Sequence, residues 1–170
     1  MKISNIDELK KLTIDNLTEK LIELHKSLID ERRLSGELFT EIFADDKLVK
    51  STADRLIKEL KHHIYKEEQI LFPYLINLSK SFRKEIPFEK PYFNTVKNPI
   101  EILKSEHELI SDSVYKLKQV IIRLQAESKH KNPLSEKLKD FLEDVEKVIY
   151  LENRILFPRA LEIEKSLLKQ

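Results

Sequence analysis

The sequence predicts an all-α fold, an antiparallel up-down-up-down four-helix bundle assembled from two repeated αα-hairpins. Four segments carry apolar residues at alternating steps of three and four, which is the period of a bundle seam. The chain has one glycine in 170 residues, and 36% of its residues are charged. A half-repeat also marks the end of each predicted hairpin. We therefore expect one domain over residues 1–170, containing four long amphipathic helices.

The first two helices are expected over residues 12–43 and 48–80, separated by the residues Ala44-Asp45-Asp46. The first carries an apolar stripe of Ile14, Leu17, Leu21, Leu24 and Leu28. The second carries a stripe that includes polar residues, namely Leu56, Leu60, His63, Glu67, Ile70 and Tyr74. Residues 80–99 contain three of the six prolines and form the long central connection between the hairpins.

The last two helices are expected over residues 99–128 and 134–168. Each follows an Asn-Pro pair, and proline is favoured in the first turn of a helix. The stripe of the fourth helix comprises Leu134, Leu138, Phe141, Val145, Val148, Glu152 and Ile155. The connection between these two helices is short, which predicts antiparallel neighbours.

The half-repeat relates residues 63–73 to residues 148–158. The two stretches align without a gap and are identical at seven of eleven positions, ending in the same Ile-Leu-Phe-Pro string. In this alignment Glu67 matches Glu152. Two αα-hairpins related by a pseudo-twofold axis explain the repeat economically.

The composition excludes several classes of protein. The 31 basic and 30 acidic residues leave a net charge of +1, and no basic run with interleaved aromatic residues suggests a nucleic-acid partner. The chain has no cysteine, which removes disulfides, thiolate ligands and cysteine nucleophiles. No apolar stretch is long enough to span a bilayer, and the first residues lack the apolar core of a signal peptide. We expect a cytoplasmic protein with neither membrane nor nucleic acid as a partner.

Five polar residues occupy seam positions where a bundle otherwise has leucine. They are His25, His63, Glu67, His107 and Glu152. His63 and Glu67 are four residues apart and share a helix face, while His25 and His107 stand at matching places in the first and third helices. Burying a carboxylate without a partner is costly, so such groups normally pair or bind metal. Three histidines and two glutamates converging from four helices predict a metal site.

The types of ligand narrow the choice of metal. Imidazole and carboxylate donors without thiolate suit iron, manganese or zinc, and redox chemistry selects iron. A single inward histidine is more often a hydrogen-bonded core residue, so the metal interpretation depends on the five residues together. His62 is expected on the surface and His130 in a solvated loop. Glu106, beside His107, is left open as an outer partner, a channel residue or a surface charge.

These residues resemble the hemerythrin, or HHE cation-binding, family. Residues 67–74, 93–107 and 151–160 are similar, more closely, to the iron–sulfur cluster repair di-iron proteins. The resemblance covers the chain from about Ile14 to the C-terminus. It implies a di-iron centre in a hemerythrin-like bundle and a stress-response role, the repair of iron–sulfur clusters damaged by nitric oxide or oxidants. Metal ions and iron–sulfur proteins are the implied partners.

The chain departs from the family pattern at ligand positions. The family has a ligand histidine four residues before the last glutamate, where this chain has Val148, and Glu146 and Tyr150 replace neighbouring histidines. A further family histidine is absent, since none lies between His25 and His62. The resemblance then implies an altered shell of one ion, or of two ions with water, Tyr150 or Glu146 filling the gaps. A site that has lost its metal is the other interpretation.

Three functions follow. The leading hypothesis is an iron-binding protein of the cluster-repair type, favoured because Glu67 and Glu152 would otherwise be two buried carboxylates with only histidines as partners. An oxygen or nitric oxide carrier or sensor is the second, and a metal-free helical interaction module is the third. No catalytic triad or phosphate loop is evident, so the sequence leaves open whether the protein is an enzyme.

Overall fold

The computed structural model describes residues 6–30, 47–127 and 133–169, and within these ranges the chain forms helices joined by turns and contains no strand. The all-α bundle predicted from the sequence is confirmed. The first helix ends at Leu28, well before its expected end at residue 43, whereas every other described end of the four expected helices lies within two residues of its expected position. The expected end of the first helix at residue 43, and His130, lie outside the described residues.

The first hairpin has two rods. A short helix, α1 (Ile6–Leu9), precedes the first rod, α2 (Ile14–Leu28). The second rod consists of α3 (Lys47–Lys66), a π-helical turn π1 (Glu67–Leu71) and α4 (Phe72–Phe82), which follow one another without a break. The second rod is therefore a single long helix that contains one wide turn.

The second hairpin repeats this plan. Its first rod is α5 (Lys97–Glu127). Its second rod consists of α6 (Pro133–Leu151), a second π-helical turn π2 (Glu152–Leu156) and α7 (Phe157–Leu167). The half-repeat seen in the sequence thus corresponds to a repeated helix–π-turn–helix rod.

Hydrogen bonds between the rods show that each hairpin is antiparallel. In the first hairpin, the Ser79 hydroxyl near the end of α4 donates to the Asp15 carboxylate at the start of α2, over 2.9 Å. In the second, the Glu164 carboxylate of α7 accepts the backbone N–H of Val96, just ahead of α5, over 2.9 Å. These contacts join the rods at one end of the bundle. The five polar seam residues lie nearer its middle.

The two π turns shift the buried stripe by one residue. Ile70, expected in the seam, is 38% exposed, whereas Leu71 is fully buried. In the same way Leu156 is fully buried instead of Ile155. A π turn contains one extra residue, and one residue corresponds to about 100° of helix rotation, so the following apolar face moves on by one position. The seam predicted from unbroken heptads is therefore wrong after Glu67 and after Glu152.

The position of the two π turns, directly before a Phe-Pro pair in both hairpins, has a local cause. Pro73 and Pro158 each lie at the second position after a π turn. Proline has no N–H to donate, and its ring crowds the carbonyl four residues earlier, so a regular α-helical turn ahead of it is disfavoured. The wider turn relieves that conflict, and the N–H of Phe72 bonds to the carbonyl of Glu67 five residues before it.

Candidate metal centre

The five polar seam residues meet in one layer at the centre of the bundle. α2 contributes His25, the second rod His63 and Glu67, α5 His107, and π2 Glu152. All five residues are between 0% and 3% exposed. The two glutamates are the first residues of the two π turns, so each wide turn begins where a carboxylate enters the core.

The Nε2 atoms of all three histidines face the two carboxylates. The Nε2 of His25 lies 3.1 Å from Glu152 and 3.5 Å from Glu67. The Nε2 of His107 lies 3.2 Å from Glu152, and that of His63 lies 3.5 Å from Glu67. One donor atom from each of His63, Glu67, His107 and Glu152 falls within 4.8 Å of all the others. This is a compact set of nitrogen and oxygen donors.

The Nδ1 atom of each histidine has a partner outside this layer. His63 pairs with Glu106 over 2.9 Å and His25 with Glu68 over 3.2 Å. The third partner is an amide, since the Nδ1 of His107 lies 3.0 Å from the side-chain oxygen of Asn153. All three partners are acceptors, so each Nδ1 carries the hydrogen, and Nε2 is the atom left to bind a metal in the neutral imidazole.

Four buried donor atoms in the layer have no hydrogen bond among the described residues. They are the Nε2 atoms of His63 and His107 and both carboxylate oxygens of Glu67. Buried polar side-chain atoms nearly always have a partner, and leaving them without one costs about 1–3 kcal/mol each. The unsatisfied atoms all point toward the same place, which is the arrangement expected of ligands around an ion.

The carboxylates raise the pKa of two of the histidines, His25 and His63. Burial by itself would lower the pKa of His25, but hydrogen bonds to Glu152 and Glu68 outweigh it and raise the pKa to about 10. Burial likewise opposes the charge on His63, yet the nearby Glu67 carboxylate raises the pKa of His63 to about 9. Without a metal, protons on these histidines balance the negative charge, and a bound cation would take over that role.

The pKa values of the two glutamates shift in opposite directions. Burial, followed by repulsion from Glu152, raises the pKa of Glu67. Burial also acts to raise the pKa of Glu152, but the imidazoles of His107 and His25, which lie 3.2 and 3.1 Å from its carboxylate, outweigh burial and lower the pKa to about 2. Two adjacent buried carboxylates repel each other when both are ionised, and a cation between them removes that repulsion.

Comparison with known proteins agrees with this geometry. Residues 16–160 match the sequence model of the hemerythrin HHE cation binding domain. The chain belongs to the hemerythrin HHE cation-binding family. The match includes both hairpins and all five residues of the polar layer, so the cluster lies in a domain whose family binds cations.

Curated relatives with the same domain are similar at low identity. The chain is 26% identical over 147 residues to the iron-sulfur cluster repair protein YtfE of Yersinia pseudotuberculosis serotype O:1b (strain IP 31758), covering 82% of this chain and 61% of the relative. It is 30% identical over 112 residues to the protein of the same name from Yersinia pestis (strain Pestoides F), covering 64% of this chain and 45% of the relative. The chain therefore spans about half of the length of these relatives.

Three other residues that the sequence singled out, Glu146, Tyr150 and His62, lie at exposed positions outside the polar layer. Tyr150 is 41% exposed, and Lys10 lies over its ring at 5.9 Å. Glu146 is exposed and accepts a hydrogen bond from Lys118 over 2.8 Å. Both point away from the polar layer because residues two before and after Val148 lie on the opposite side of the helix. The expectation that they fill gaps in a ligand shell is therefore wrong, whereas His62 is exposed, as expected.

Glu106 acts as an outer partner of the site. Its carboxylate lies between His63 and the ammonium group of Lys66, with which it also forms an ion pair. This contact agrees with the first of the three alternatives that the sequence left open, the outer partner. The sequence reasoning missed Glu68 and Asn153, which support His25 and His107. Each directly follows a carboxylate of the half-repeat, and that shared position was the available indication.

A surface cavity approaches the layer from one side. It has a volume of about 190 Å³, and its lining includes His63, Lys66, Glu106 and Leu109. Because His63 belongs both to this lining and to the polar layer, the cavity connects solvent to the edge of the cluster. Among the described residues, no helix is both long and apolar enough to cross a membrane.

Proposed function

We propose that this domain binds non-haem iron through a set of five ligands: His25, His63, Glu67, His107 and Glu152. The observation that carries the proposal is the group of four buried, unsatisfied donor atoms on His63, His107 and Glu67. Protein ligands lie about 2.0–2.2 Å from first-row metals, so donors on opposite sides of one ion are about 4 Å apart. Donor atoms within 4.8 Å of one another fit that requirement after small adjustments.

The donor set supports iron over other metals. It contains imidazole and carboxylate groups and no thiolate, which suits iron, manganese and zinc. Carboxylates that project from facing helices of a bundle are typical of di-iron and di-manganese proteins. Iron is favoured because the relatives' name, iron-sulfur cluster repair protein, refers to iron chemistry. When bound, iron would supply redox and Lewis-acid chemistry, and the chain's own residues would hold it in a polar layer inside the apolar core of the bundle.

The biological role proposed for the domain is the repair of iron–sulfur clusters under nitric oxide or oxidative stress. The support is the family membership together with the relatives of that name. Iron–sulfur proteins would then be its partners. The metal-free interaction module is less well supported, because in that case the four unsatisfied atoms would destabilise the core without any compensating ion.

An oxygen or nitric oxide carrier or sensor is the second candidate function. The observation that favours it is Val148, which is 4% exposed and occupies the position equivalent to His63 in the half-repeat. A valine cannot donate to a metal, so an ion beside it would keep an open coordination position. A small neutral ligand bound there would meet an apolar wall.

The repair role can be tested with a [4Fe–4S] dehydratase inactivated by nitric oxide. Iron-loaded protein is expected to restore its activity faster than the same concentration of ferrous salt. The matched control is the Glu67→Gln/His107→Gln variant, which keeps side-chain volume but loses ligand charge and a donor. Equal restoration by both proteins would reject the repair role, and reversible oxygen or nitric oxide binding without restoration would favour the carrier.

A further inference from the structure

The half-repeat is also present in three dimensions around the polar layer. The ring of His25 stacks on Phe72 at 5.5 Å, and the ring of His107 stacks on Phe157 at 5.8 Å. These two phenylalanines are equivalent in the repeat. Both histidines also direct Nδ1 to the residue that follows a layer glutamate. The pseudo-twofold axis therefore exchanges His25 with His107.

One side of the layer has a complete set of donors. The rings of His63 and His107 are 4.5 Å apart, and their Nε2 atoms reach Glu67 and Glu152 respectively. The Nδ1 of His63 is held in turn by Glu106. Two imidazoles, two carboxylates and the outer partners of both imidazoles are thus present on this side.

The other side lacks two of these groups. In the repeat, Val148 occupies the position equivalent to His63. Leu24 directly precedes His25 as Glu106 directly precedes His107, so Leu24 occupies the position equivalent to Glu106. Val148 and Leu24 are 4% and 3% exposed, so both belong to the apolar core. The replaced pair is the histidine together with its carboxylate partner. On this side His25 is the one imidazole left among the described residues of the layer.

The joint replacement has a physical explanation. A histidine at position 148 would bury an Nδ1–H group, and Leu24 offers no acceptor for it. A buried donor without a partner costs about 1–3 kcal/mol. The valine and the leucine therefore form a consistent apolar repacking of one half of the layer, while the other half keeps its polar pair.

From this asymmetry we infer that the domain has two inequivalent metal positions. The complete position consists of His63, His107 and the two glutamates. The partial position consists of His25 and the far oxygens of the same glutamates, and an ion there is held more weakly and exchanges readily. This inference rests on the proposed metal binding. Loss of outer partners alone weakens metal affinity by about 10–100-fold, and here a direct ligand is missing as well.

Anaerobic titration of the metal-free protein with ferrous iron, followed by equilibrium dialysis, tests the inference. Two binding steps are expected, with the second at least about tenfold weaker. His25→Gln is expected to remove the weak step and keep the tight one, whereas His63→Gln is expected to weaken the tight step. Leu24→Glu/Val148→His is expected to bring the weak step close to the tight one, while Val148→His alone achieves less because its Nδ1 lacks an acceptor.

The outcomes separate this inference from the proposed function. Two steps of equal affinity in the unaltered protein would overturn the inequivalence and leave iron binding intact. Equal effects of His25→Gln and His63→Gln on both steps would also overturn it, and this comparison does not depend on the folding of the double variant. Absence of any binding step would reject the proposed function itself.

Discussion

The Nδ1 atom of His63 donates a hydrogen bond to Glu106 over 2.9 Å, and this pair connects the polar layer to the surface of the bundle. The side chain of Glu106 is 24% exposed and also pairs with Lys66. The hydrogen bond orients the ring so that Nε2 faces the centre. A set of inward ligands is therefore positioned by residues that lie outside it, and those outer residues are open to mutation without loss of a ligand.

Removing an outer partner is expected to weaken metal binding. Asn153→Ala takes away the acceptor of the His107 Nδ1–H group, 3.0 Å away, while leaving every ligand in place. We expect iron affinity to fall by about 10–100-fold with the helical circular dichroism unchanged. Competition with a chelator measures the change. The control is Arg154→Ala at the exposed neighbouring position, and equal affinities of the two variants would show that Asn153 does not orient His107.

The surface cavity beside His63 is expected to be the route by which metal reaches the layer. Leu109 lines this cavity and is 62% exposed. Leu109→Trp should therefore slow iron uptake several-fold in stopped-flow measurements without changing the equilibrium affinity. Ile122→Trp, also on α5 and 57% exposed, is the matched control because Ile122 is not part of the lining. Identical uptake rates for the two variants would indicate another route.

The Asp15–Arg83 pair is expected to make stability depend on pH. Two nitrogens of Arg83 donate to the two oxygens of Asp15 over 3.0 and 2.9 Å. These bonds, despite opposition from burial, lower the pKa of Asp15 well below its usual range. The stabilisation is present above the unfolded pKa of about 3.9 and is lost as the pH falls toward the folded pKa.

Urea denaturation of the Asp15→Asn variant checks this prediction. At pH 7 the free energy of unfolding is expected to fall by about 1.5–3 kcal/mol, the usual contribution of hydrogen bonds to a charged group. At pH 3 the difference from the unaltered protein should shrink by about 1 kcal/mol. Asp112→Asn, at an exposed helix pair with Lys116, should change stability by less than about 0.5 kcal/mol. A pH-independent effect of Asp15→Asn would contradict the account.

The bundle was predictable from sequence because the spacing of apolar residues along each helix can be read from neighbouring residues alone. Steps of three and four reveal which face each helix buries, and Asn-Pro pairs mark two helix starts. The register after Glu67 was not predictable from that period. It depends on the π turn, in which Leu71 replaces Ile70 in the core. The Ile-Leu-Phe-Pro string was visible in both halves, but a heptad reading has no place for the extra residue.

The convergence of the five polar residues was predictable and their surroundings were not. Polar residues in an apolar stripe stand out in a sequence, and all five such residues converge in the structure. Glu68 and Asn153 do not stand out, because a polar residue next to a seam is ordinary on a helix surface. Their role depends on how the π turns direct them toward histidines of another helix, which is a tertiary relationship. Tyr150 was considered because it replaces a family histidine near Val148, but that position lies on an exposed face of the helix.

Metal content measured beside a matched variant tests the central claim most directly. The protein should be purified without a nickel column and its iron, manganese and zinc determined by mass spectrometry. We expect about one or more iron per chain, with absorption bands of a ferric site in air. We also expect a loss of most of that iron in the Glu67→Gln/Glu152→Gln variant of unchanged helicity. Iron at background in the unaltered protein, with a melting temperature that ferrous iron does not raise, would contradict the account.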